Sequence, residues 1–420
     1  MSADTLTLLR TGKLAGVTRL DLCCGLTEFP REIFDLADSL EVLNLTGNRL
    51  STLPDDLPRL KKLRILFCSE NDFDHVPPVV AECAGLSMIG FKSNRIGHVE
   101  ALPPSLRWLI LTDNRIDQLP ASIGNCLPLQ KLMLSGNRLS RLPDEMAACT
   151  NLELVRLAAN RFETLPEWLL DLPKLAWLAV AGNPCSPSPE VTAEPIGWPD
   201  LQLAEKLGEG ASGIIHAARR ISDDRAVAVK VFKGSMTSDG LPDSERRACL
   251  AVGGHPHLIP VLGDLVDHPE GSPGLVMELI GPHYRSLAGP PDFTTCSRDV
   301  YAEDAGFSLL AVFRIARGLA SAGAALHAKG ILHGDFYAHN ILRNDDGHAL
   351  LGDFGAASFY SLGEPAFERL EVLAFGRLLR ELLDRCPEEA PALRALQAQC
   401  ESPVVSDRPS FADVQSALRD

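Results

Sequence analysis

Leucine and other apolar residues recur in the first part of the chain in a fixed phrase, L-x-L-x-x-N. The clearest copy is LNLTGN, which ends at Asn48, and weaker or full copies follow at spacings of 23, 23, 20, 23, 23 and 23 residues. An earlier copy, LDLCCG, has Gly25 in the asparagine position. The later copies end at Asn71, Asn94, Asn114, Asn137, Asn160 and Asn183. A period of this length predicts a repeat architecture of about eight units over residues 1–183.

A second phrase containing proline lies between the copies, as in LPDDL, LPASI and LPDEM, with a shortened LPPSL at 102–106. One such unit cannot bury its apolar residues alone, so stacked strands are expected to form a parallel sheet. Proline cannot join a strand ladder and belongs in the return segment, whereas the asparagine can satisfy backbone groups where the chain leaves the strand. A leucine-rich helical domain would need apolar residues every 3.6 positions, which the strict period disfavours.

These features resemble the leucine-rich-repeat family, with the 23-residue spacing seen in intracellular members and one 20-residue unit similar to bacterial effector-type repeats. The resemblance implies an α/β-type horseshoe that binds through the concave face of its parallel sheet. The outward positions of the predicted strands are unusually apolar there and include Phe67, Trp108, Ile110, Met133 and Trp177. Contiguous apolar surface tends to mark an interface, so we expect a protein or peptide ligand, or the chain's own second domain, to bind this face. A register error of one residue would instead make some of these residues core.

The period stops at Asn183, and a proline-rich run over 184–200 follows. Such a run predicts a stiff, extended spacer between two domains. From Leu201 the pattern changes to glycine-punctuated strands such as AVAVKVF and later to helical stretches. Residues 201–420 are therefore predicted to form a second domain.

Charge and cysteine content exclude several kinds of function and cellular location. The net charge of −15 argues against general binding to nucleic acid or to an anionic membrane, because phosphate neutralisation needs a basic surface. The 11 cysteines include no C-x-x-C pair, and this number and scatter indicate reduced thiols rather than a disulfide framework. The N-terminal residues carry charges and lack the apolar core of a signal peptide, and no stretch approaches a membrane span in apolar length. We expect a cytoplasmic protein without nucleic-acid or membrane partners.

Candidate chemistry begins with a glycine-rich turn, Gly208-x-Gly210-x-x-Gly213. Glycines let a backbone approach phosphate closely and direct its N–H groups at the oxygens, although dinucleotide-binding folds share this pattern. Lys230 then stands in the apolar strand VAVK, where a solvated face would not need a cation. Glu245, in a helix-like segment, is the natural partner for Lys230, and a solvated helix face is the alternative interpretation of that residue.

Further along, Asp335 and Asn340 follow a short apolar strand, and Asp353 opens the triplet Asp-Phe-Gly. An aspartate can orient a hydroxyl nucleophile and accept its proton. An asparagine oxygen and a second carboxylate are ligands suited to Mg²⁺. These residues predict phosphoryl transfer with a divalent metal.

Together and in this order, the motifs over 201–420 resemble the eukaryotic-like protein kinase superfamily, and a soluble, bacterial-type leucine-rich-repeat kinase is the best match. The resemblance implies a bilobal α+β fold, ATP and Mg²⁺ (or Mn²⁺) as cofactors, phosphate contacts from Lys230, and a catalytic role for Asp335. It also implies that Met277 is the gatekeeper, that Glu278 and Ile280 offer backbone groups to adenine, and that further residues enclose the base. Those residues are Ile215, Ala228 and Leu342.

The pattern also departs from the family. Gly334 replaces the arginine that usually precedes the catalytic aspartate, and Tyr337 and His339 replace the usual cations after it. Glu371, 18 positions after Asp353, aligns with an aspartate of the family, and no A-P-E motif is visible between them. A phosphate at Ser358 would therefore lack an obvious charge partner. A serine/threonine protein kinase is favoured over a small-molecule kinase of the aminoglycoside or choline type and over a scaffold that only retains the fold.

Overall fold

The structure is a computed structural model that describes residues 2–210, 212–234, 236–237 and 239–419. Contacts divide the chain into two compact units, Met1–Leu172 and Pro173–Asp420. The first unit consists of repeats, and the second begins with the last repeat copy and contains the glycine-rich turn and both aspartate motifs.

Short parallel strands of three residues, one for each repeat copy, build the first unit. The strands are β1 Arg19–Asp21, β2 Val42–Asn44, β3 Ile65–Phe67, β4 Met88–Gly90, β5 Trp108–Ile110, β6 Lys131–Met133 and β7 Leu154–Arg156. The helices are α1 Ser2–Arg10, α2 Val79–Glu82 and α3 Glu167–Leu170, with 3-10 helices at Arg31–Leu36, Leu57–Arg59, Ala121–Asn125 and Asp144–Ala148. Neighbouring strands pair in register, so the middle residues, such as Leu43, Leu66 and Leu132, stack into a fully buried row.

The repeated asparagines connect neighbouring repeats through backbone groups. Asn137 is buried; its Nδ2 donates to the carbonyls of Leu111 and Leu134 at 2.9 Å, and its Oδ1 accepts from the N–H of Ile116 at 3.0 Å. Asn71 makes equivalent bonds with Leu45 and Leu50. A buried backbone group without a partner would be costly, so this side chain is needed once in each repeat.

The second unit contains the longer elements. Its strands are β8 Trp177–Ala179, β9 Pro195–Gly197, β10 Leu201–Glu209, β11 Gly213–Arg220, β12 Arg225–Phe232, β13 Val261–Val266, β14 Gly274–Glu278, β15 Arg285–Ser286, β16 Ile331–Leu332, β17 Ile341–Arg343, β18 Ala349–Leu351 and β19 Ser358–Phe359. Its helices are α4 Pro242–Val252, α5 Leu309–His327, α6 Pro365–Leu383, α7 Pro391–Cys400 and α8 Phe411–Ala417, with 3-10 helices at Trp198–Asp200, Ala338–Asn340 and Val405–Asp407.

A six-stranded sheet of order β10-β11-β12-β14-β13-β9 forms one lobe, with α4 beside it. All its pairs are antiparallel except β13 with β9, so residues 195–197 of the proline-rich run join this sheet. Helices α5 to α8 pack together in the other lobe, where β17 pairs with both β15 and β18 and β16 pairs with β19. Parallel-sheet repeats followed by a mixed sheet and a helical lobe confirm the predicted fold class.

Within the described part of the chain, α5 is the only helix long and apolar enough to cross a membrane. Half of that stretch is buried inside the unit, as in the core helix of a folded domain. No other described helix meets this description.

Candidate active site

The glycine-rich turn joins β10 to β11 beside an open space. The N–H of Gly210 donates to the carbonyl of Gly213 at 2.9 Å, which closes the turn. A Cβ on Gly213 would lie 2.5 Å from the carbonyl oxygen of Val231, so packing of the sheet requires glycine at this position. A Cβ on Gly208 or Gly210 would meet no described atom within 4 Å. The absence of side chains at these two positions therefore leaves room for a ligand next to the backbone.

Lys230 on β12 and Glu245 on α4 form an ion pair inside the protein. Their side chains are only 9% and 3% exposed, respectively. Burial alone would lower the pKa of Lys230, but the charges of Glu245 and Asp353 outweigh it and raise that pKa above its usual value. Lys230 is therefore a cation at neutral pH, and it holds α4 against the sheet.

Six of the predicted residues line one cavity of about 230 Å³: Gly208, Gly210, Gly213, Ile215, Lys230 and Asp353. The cavity is bordered by the glycine-rich backbone, one cation and one carboxylate, which are the kinds of group that a nucleotide phosphate with a divalent metal requires. Thr237 and Asp239 also line it, and sequence reasoning did not single them out, because the loop around them carries no recognisable motif.

The residues predicted to enclose adenine lie farther along the same sheet and on the other lobe. Ala228 is buried and stands opposite Met277 in the β12–β14 ladder. Glu278 is exposed at the end of β14, Ile280 is half-buried just after it, and Leu342 is half-buried on β17. None of these five residues lines the phosphate cavity.

The loop after β16 positions Asp335 and Asn340 together. Nδ2 of Asn340 donates to the carbonyl oxygen of Asp335 at 2.9 Å and to its carboxylate Oδ2 at 3.0 Å. His333 anchors the start of the loop, since its Nε2 bonds to the carbonyl of Gly352 at 3.0 Å, immediately before Asp353. The general-base candidate and both candidate metal ligands thus belong to one hydrogen-bonded framework.

Asp353 itself has a positive φ of 53°, a conformation in which its Oδ1 accepts a hydrogen bond from the N–H of Gly355 at 3.2 Å. Phe354 points the other way; it is buried, and its ring lies 4.8 Å from the ring of His333. The carboxylate is therefore directed to the cavity while the following aromatic ring holds the backbone.

Glu371 on α6 is fully buried and binds the loop from behind. Its carboxylate accepts hydrogen bonds from the N–H groups of His333 at 3.1 Å and Gly334 at 2.8 Å, and from Nε2 of His327 at 2.8 Å. Burial would raise the pKa of Glu371, but these bonds and the nearby imidazoles hold it below its usual value. This carboxylate fixes the backbone that leads into Asp335.

Gly334 cannot be replaced by a larger residue in this geometry. Its φ is +74°, and a Cβ would lie 2.6 Å from the carbonyl oxygens of both Ala356 and Leu178. The arginine that usually stands here in the resembled family has neither the backbone conformation nor the space it needs.

His339 lies near Asp335 and is held by a carboxylate. Nδ1 of His339 bonds to Oδ1 of Asp299 at 2.7 Å, and the N–H of His339 donates to the other carboxylate oxygen at 3.1 Å. Burial would lower the pKa of His339, but the bond to Asp299 and the charges of Asp335 and Asp353 raise it above its usual value. Sequence reasoning noted His339 only as a departure, since nothing in the sequence connects it with Asp299.

The candidate partner-binding residues of the repeats lie on strand positions that flank the buried middle residue. Phe67, Trp108, Ile110 and Met133 are all half-buried. Nε1 of Trp108 donates to the sulfur of Met133 at 3.3 Å, and the Lys131 ammonium lies 4.4 Å from the Trp108 ring centroid. Trp177 differs from these four residues because it is buried, with only 2% of its surface exposed. It also belongs to the second unit.

Comparison with known families identifies two kinds of domain in this chain. Residues 201–372 match the family model for the protein kinase domain. Residues 104–162 and 127–184 match one model for leucine-rich repeats, and residues 39–60 match another.

Individual relatives are similar to this chain over part of its length. A putative cyclin-dependent kinase F-2 of Oryza sativa is 30% identical over 169 residues, which cover 39% of this chain and 48% of the rice protein. The serine/threonine-protein kinase PknK of Mycobacterium tuberculosis is 33% identical over 191 residues, which cover 40% of this chain and 15% of PknK. The human mitogen-activated protein kinase kinase kinase kinase 3 is 26% identical over 159 residues, which cover 38% of this chain and 16% of the human protein. The match therefore spans about half or less of each relative's own length.

Proposed function

We propose that this chain, which carries leucine-rich repeats followed by a protein kinase domain, transfers the γ-phosphoryl group of ATP to a serine or threonine hydroxyl of a protein. The observation that supports this most strongly is the buried Lys230–Glu245 pair beside the glycine-rich turn and Asp353. Burying two charges costs several kcal/mol per ion, and apolar residues would often give equal or better stability. The pair is therefore best explained by a ligand that needs the cation.

Each predicted residue has a chemical task in this proposal. Backbone N–H groups between Gly208 and Gly213 and the ammonium of Lys230 bind phosphate oxygens, and Glu245 keeps that ammonium in place. Carboxylate oxygens of Asp353 and the amide oxygen of Asn340 are suited to hold Mg²⁺. When bound, ATP with its metal supplies the phosphoryl group and neutralises the charge that develops on it.

Asp335 orients the acceptor hydroxyl and accepts its proton. Its bond from Asn340 and the support of the preceding backbone by Glu371 restrict its motion. His339 stands close to this carboxylate, at a position where the resembled family has a cation, and Asp299 holds its imidazole in place. Adenine is expected between Ile215, Ala228 and Leu342, with Met277 beside it and backbone groups of Glu278 and Ile280 at its edge.

The test is phosphoryl transfer from labelled ATP by the purified full chain with Mg²⁺, using a protein mixture as the acceptor. Asp335→Asn and Lys230→Met are each expected to lower the rate by about 10²–10⁴-fold, because such residues act as a unit. Asp345→Asn is the matched control, since that carboxylate is 79% exposed in the β17–β18 turn. Full turnover by Asp335→Asn would contradict the proposal.

Parallel reactions distinguish the alternatives. Transfer to an aminoglycoside or choline in preference to protein would identify a small-molecule kinase. Nucleotide binding without any metal-dependent turnover would identify a scaffold. Phosphoamino-acid analysis of the labelled protein then decides whether serine, threonine or tyrosine is the acceptor.

We also propose that the concave face of the repeat sheet, on β3, β5 and β6, binds a protein partner through Phe67, Trp108, Ile110 and Met133. Aromatic residues contribute strongly to interface energies. Replacing Trp108 and Ile110 with serine is expected to abolish partner binding without lowering the melting temperature, because the buried middle residue of each strand is untouched. Unchanged hydrogen exchange at this face with every partner tried would contradict this assignment.

A further inference from the structure

The first residues of the second unit, 173–186, pack against the loop that carries Asp335. Within β8, Leu178 and Ala179 are fully buried and Trp177 is 2% exposed. Two hydrogen bonds hold the start of the segment: Nη2 of Arg408 donates to the carbonyl of Pro173 at 2.8 Å, and Nη2 of Arg377 donates to that of Lys174 at 2.9 Å. We refer to residues 173–186 as the leading segment.

Trp177 contacts the two residues that directly follow Asp335. Its indole stacks on the ring of Tyr337, with centroids 4.0 Å apart and planes inclined by 8°, and its Nε1 donates to the carbonyl of Phe336 at 3.4 Å. Phe336 and Tyr337 directly follow Asp335. The next residue, Leu178, brings its carbonyl against Gly334, where a Cβ would lie 2.6 Å away. The leading segment thus touches the backbone on both sides of Asp335.

The same segment also binds the residues that follow Asp353. The N–H groups of Val180 and Ala181 donate to Oγ of Ser358 at 2.8 and 3.1 Å, and Oγ of Ser186 donates to the carbonyl of Phe359 at 2.8 Å. Ser358 is 1% exposed, so its hydroxyl is enclosed by these contacts. The leading segment therefore connects the loop of the general base with the segment after the candidate metal ligand.

We infer that Trp177 is a positioning residue for the phosphoryl transfer proposed above, and that the leading segment belongs to the catalytic unit. Only 18 positions separate Asp353 from Glu371, so little chain is available there to support the loop of Asp335. The stack on Tyr337 and the bond to Phe336 supply that support from outside residues 201–420. Loss of the stack should let Asp335 move relative to the acceptor, and a displacement near 1 Å can cost about 10²-fold in rate.

The inference rests on the proposed function, and its test is made in the full chain. Trp177→Ala is expected to lower kcat for protein phosphorylation by about 10–100-fold while KM for ATP changes less than about twofold, because Trp177 does not line the phosphate cavity. Trp177→Phe retains an aromatic stack and is expected to recover most of kcat. Trp168→Ala, on α3 in the first unit, is the matched control and should behave like the unmodified chain.

Hydrogen exchange provides a readout that does not depend on activity. Amides of residues 333–340 are expected to exchange faster in Trp177→Ala, and also in Ser358→Ala, which removes the acceptor of the Val180 and Ala181 bonds. If the unmodified chain transfers no phosphate but Trp177→Ala shows this change, the proposed function fails and the structural coupling stands. Unchanged kcat and exchange in Trp177→Ala, or equal losses of kcat and nucleotide affinity, would overturn the inference.

Discussion

Glu371 gives the sharpest test of how the catalytic loop is supported. Its carboxylate accepts three hydrogen bonds in a site without solvent exposure, two of them from backbone N–H groups of His333 and Gly334. Bonds to a charged group contribute about 1.5–3 kcal/mol each, and removing one partner of a buried charged pair costs about 3–5 kcal/mol. Glu371→Ala should therefore lower the free energy of unfolding of the second unit by about 3–5 kcal/mol.

Glu371→Gln keeps the shape and one acceptor oxygen but places an NH₂ group against a donor, so an intermediate loss of about 1–3 kcal/mol is expected. Because the folded pKa of Glu371 is depressed, its contribution is present above the unfolded pKa and is lost as pH falls through the folded pKa. The difference between Glu371→Gln and the unmodified chain should therefore shrink as the pH falls below about 4.5.

The assay is urea unfolding at pH 7 and at pH 4, combined with hydrogen exchange at the amides of His333 and Gly334. Exchange identifies the second unit as the one affected, which a single fluorescence transition would not. Glu364→Ala, an exposed residue just before α6, is the control. Losses below about 0.5 kcal/mol for Glu371→Ala, with unchanged exchange, would refute the reasoning.

Three further outcomes are expected. Asn137→Ala leaves the N–H of Ile116 without its partner and removes one of the two amide donors at each of the carbonyls of Leu111 and Leu134, so it should cost about 3 kcal/mol in urea unfolding. Exposed Asn125→Ala should cost little. Gly334→Ala should abolish phosphoryl transfer and accelerate exchange in the catalytic loop; normal activity would contradict the crowding at that Cβ. Burial raises the pKa of Glu381 to about 7, so ionisation of this residue opposes folding. The free energy of unfolding should therefore fall by at most ~3 kcal/mol from pH 5 to 8. Glu381→Gln should flatten this pH dependence, as measured by urea unfolding at each pH.

Local patterns in the sequence were enough to predict much of this protein. The 23-residue period predicted the repeat strands, because each unit must bury the same middle residue and satisfy the same backbone groups. Gly208, Lys230 and Asp353 were likewise recognisable from their neighbours in the sequence, and the structure brings them to one cavity. Such features depend on residues a few positions apart, which a single sequence displays directly.

Contacts between distant residues were decided only by the tertiary structure. The repeat pattern assigned Trp177 to the outward positions but could not reveal that it stacks on Tyr337, 160 positions later. The kinase-like motifs showed that Gly334 replaces an arginine, but they could not show that the carbonyls of Leu178 and Ala356 fill the space beside it. The bond between His339 and Asp299 had no signal either. Periodicity and short motifs specify which face of an element is apolar or charged, whereas the residue that covers that face is chosen by packing of the whole unit.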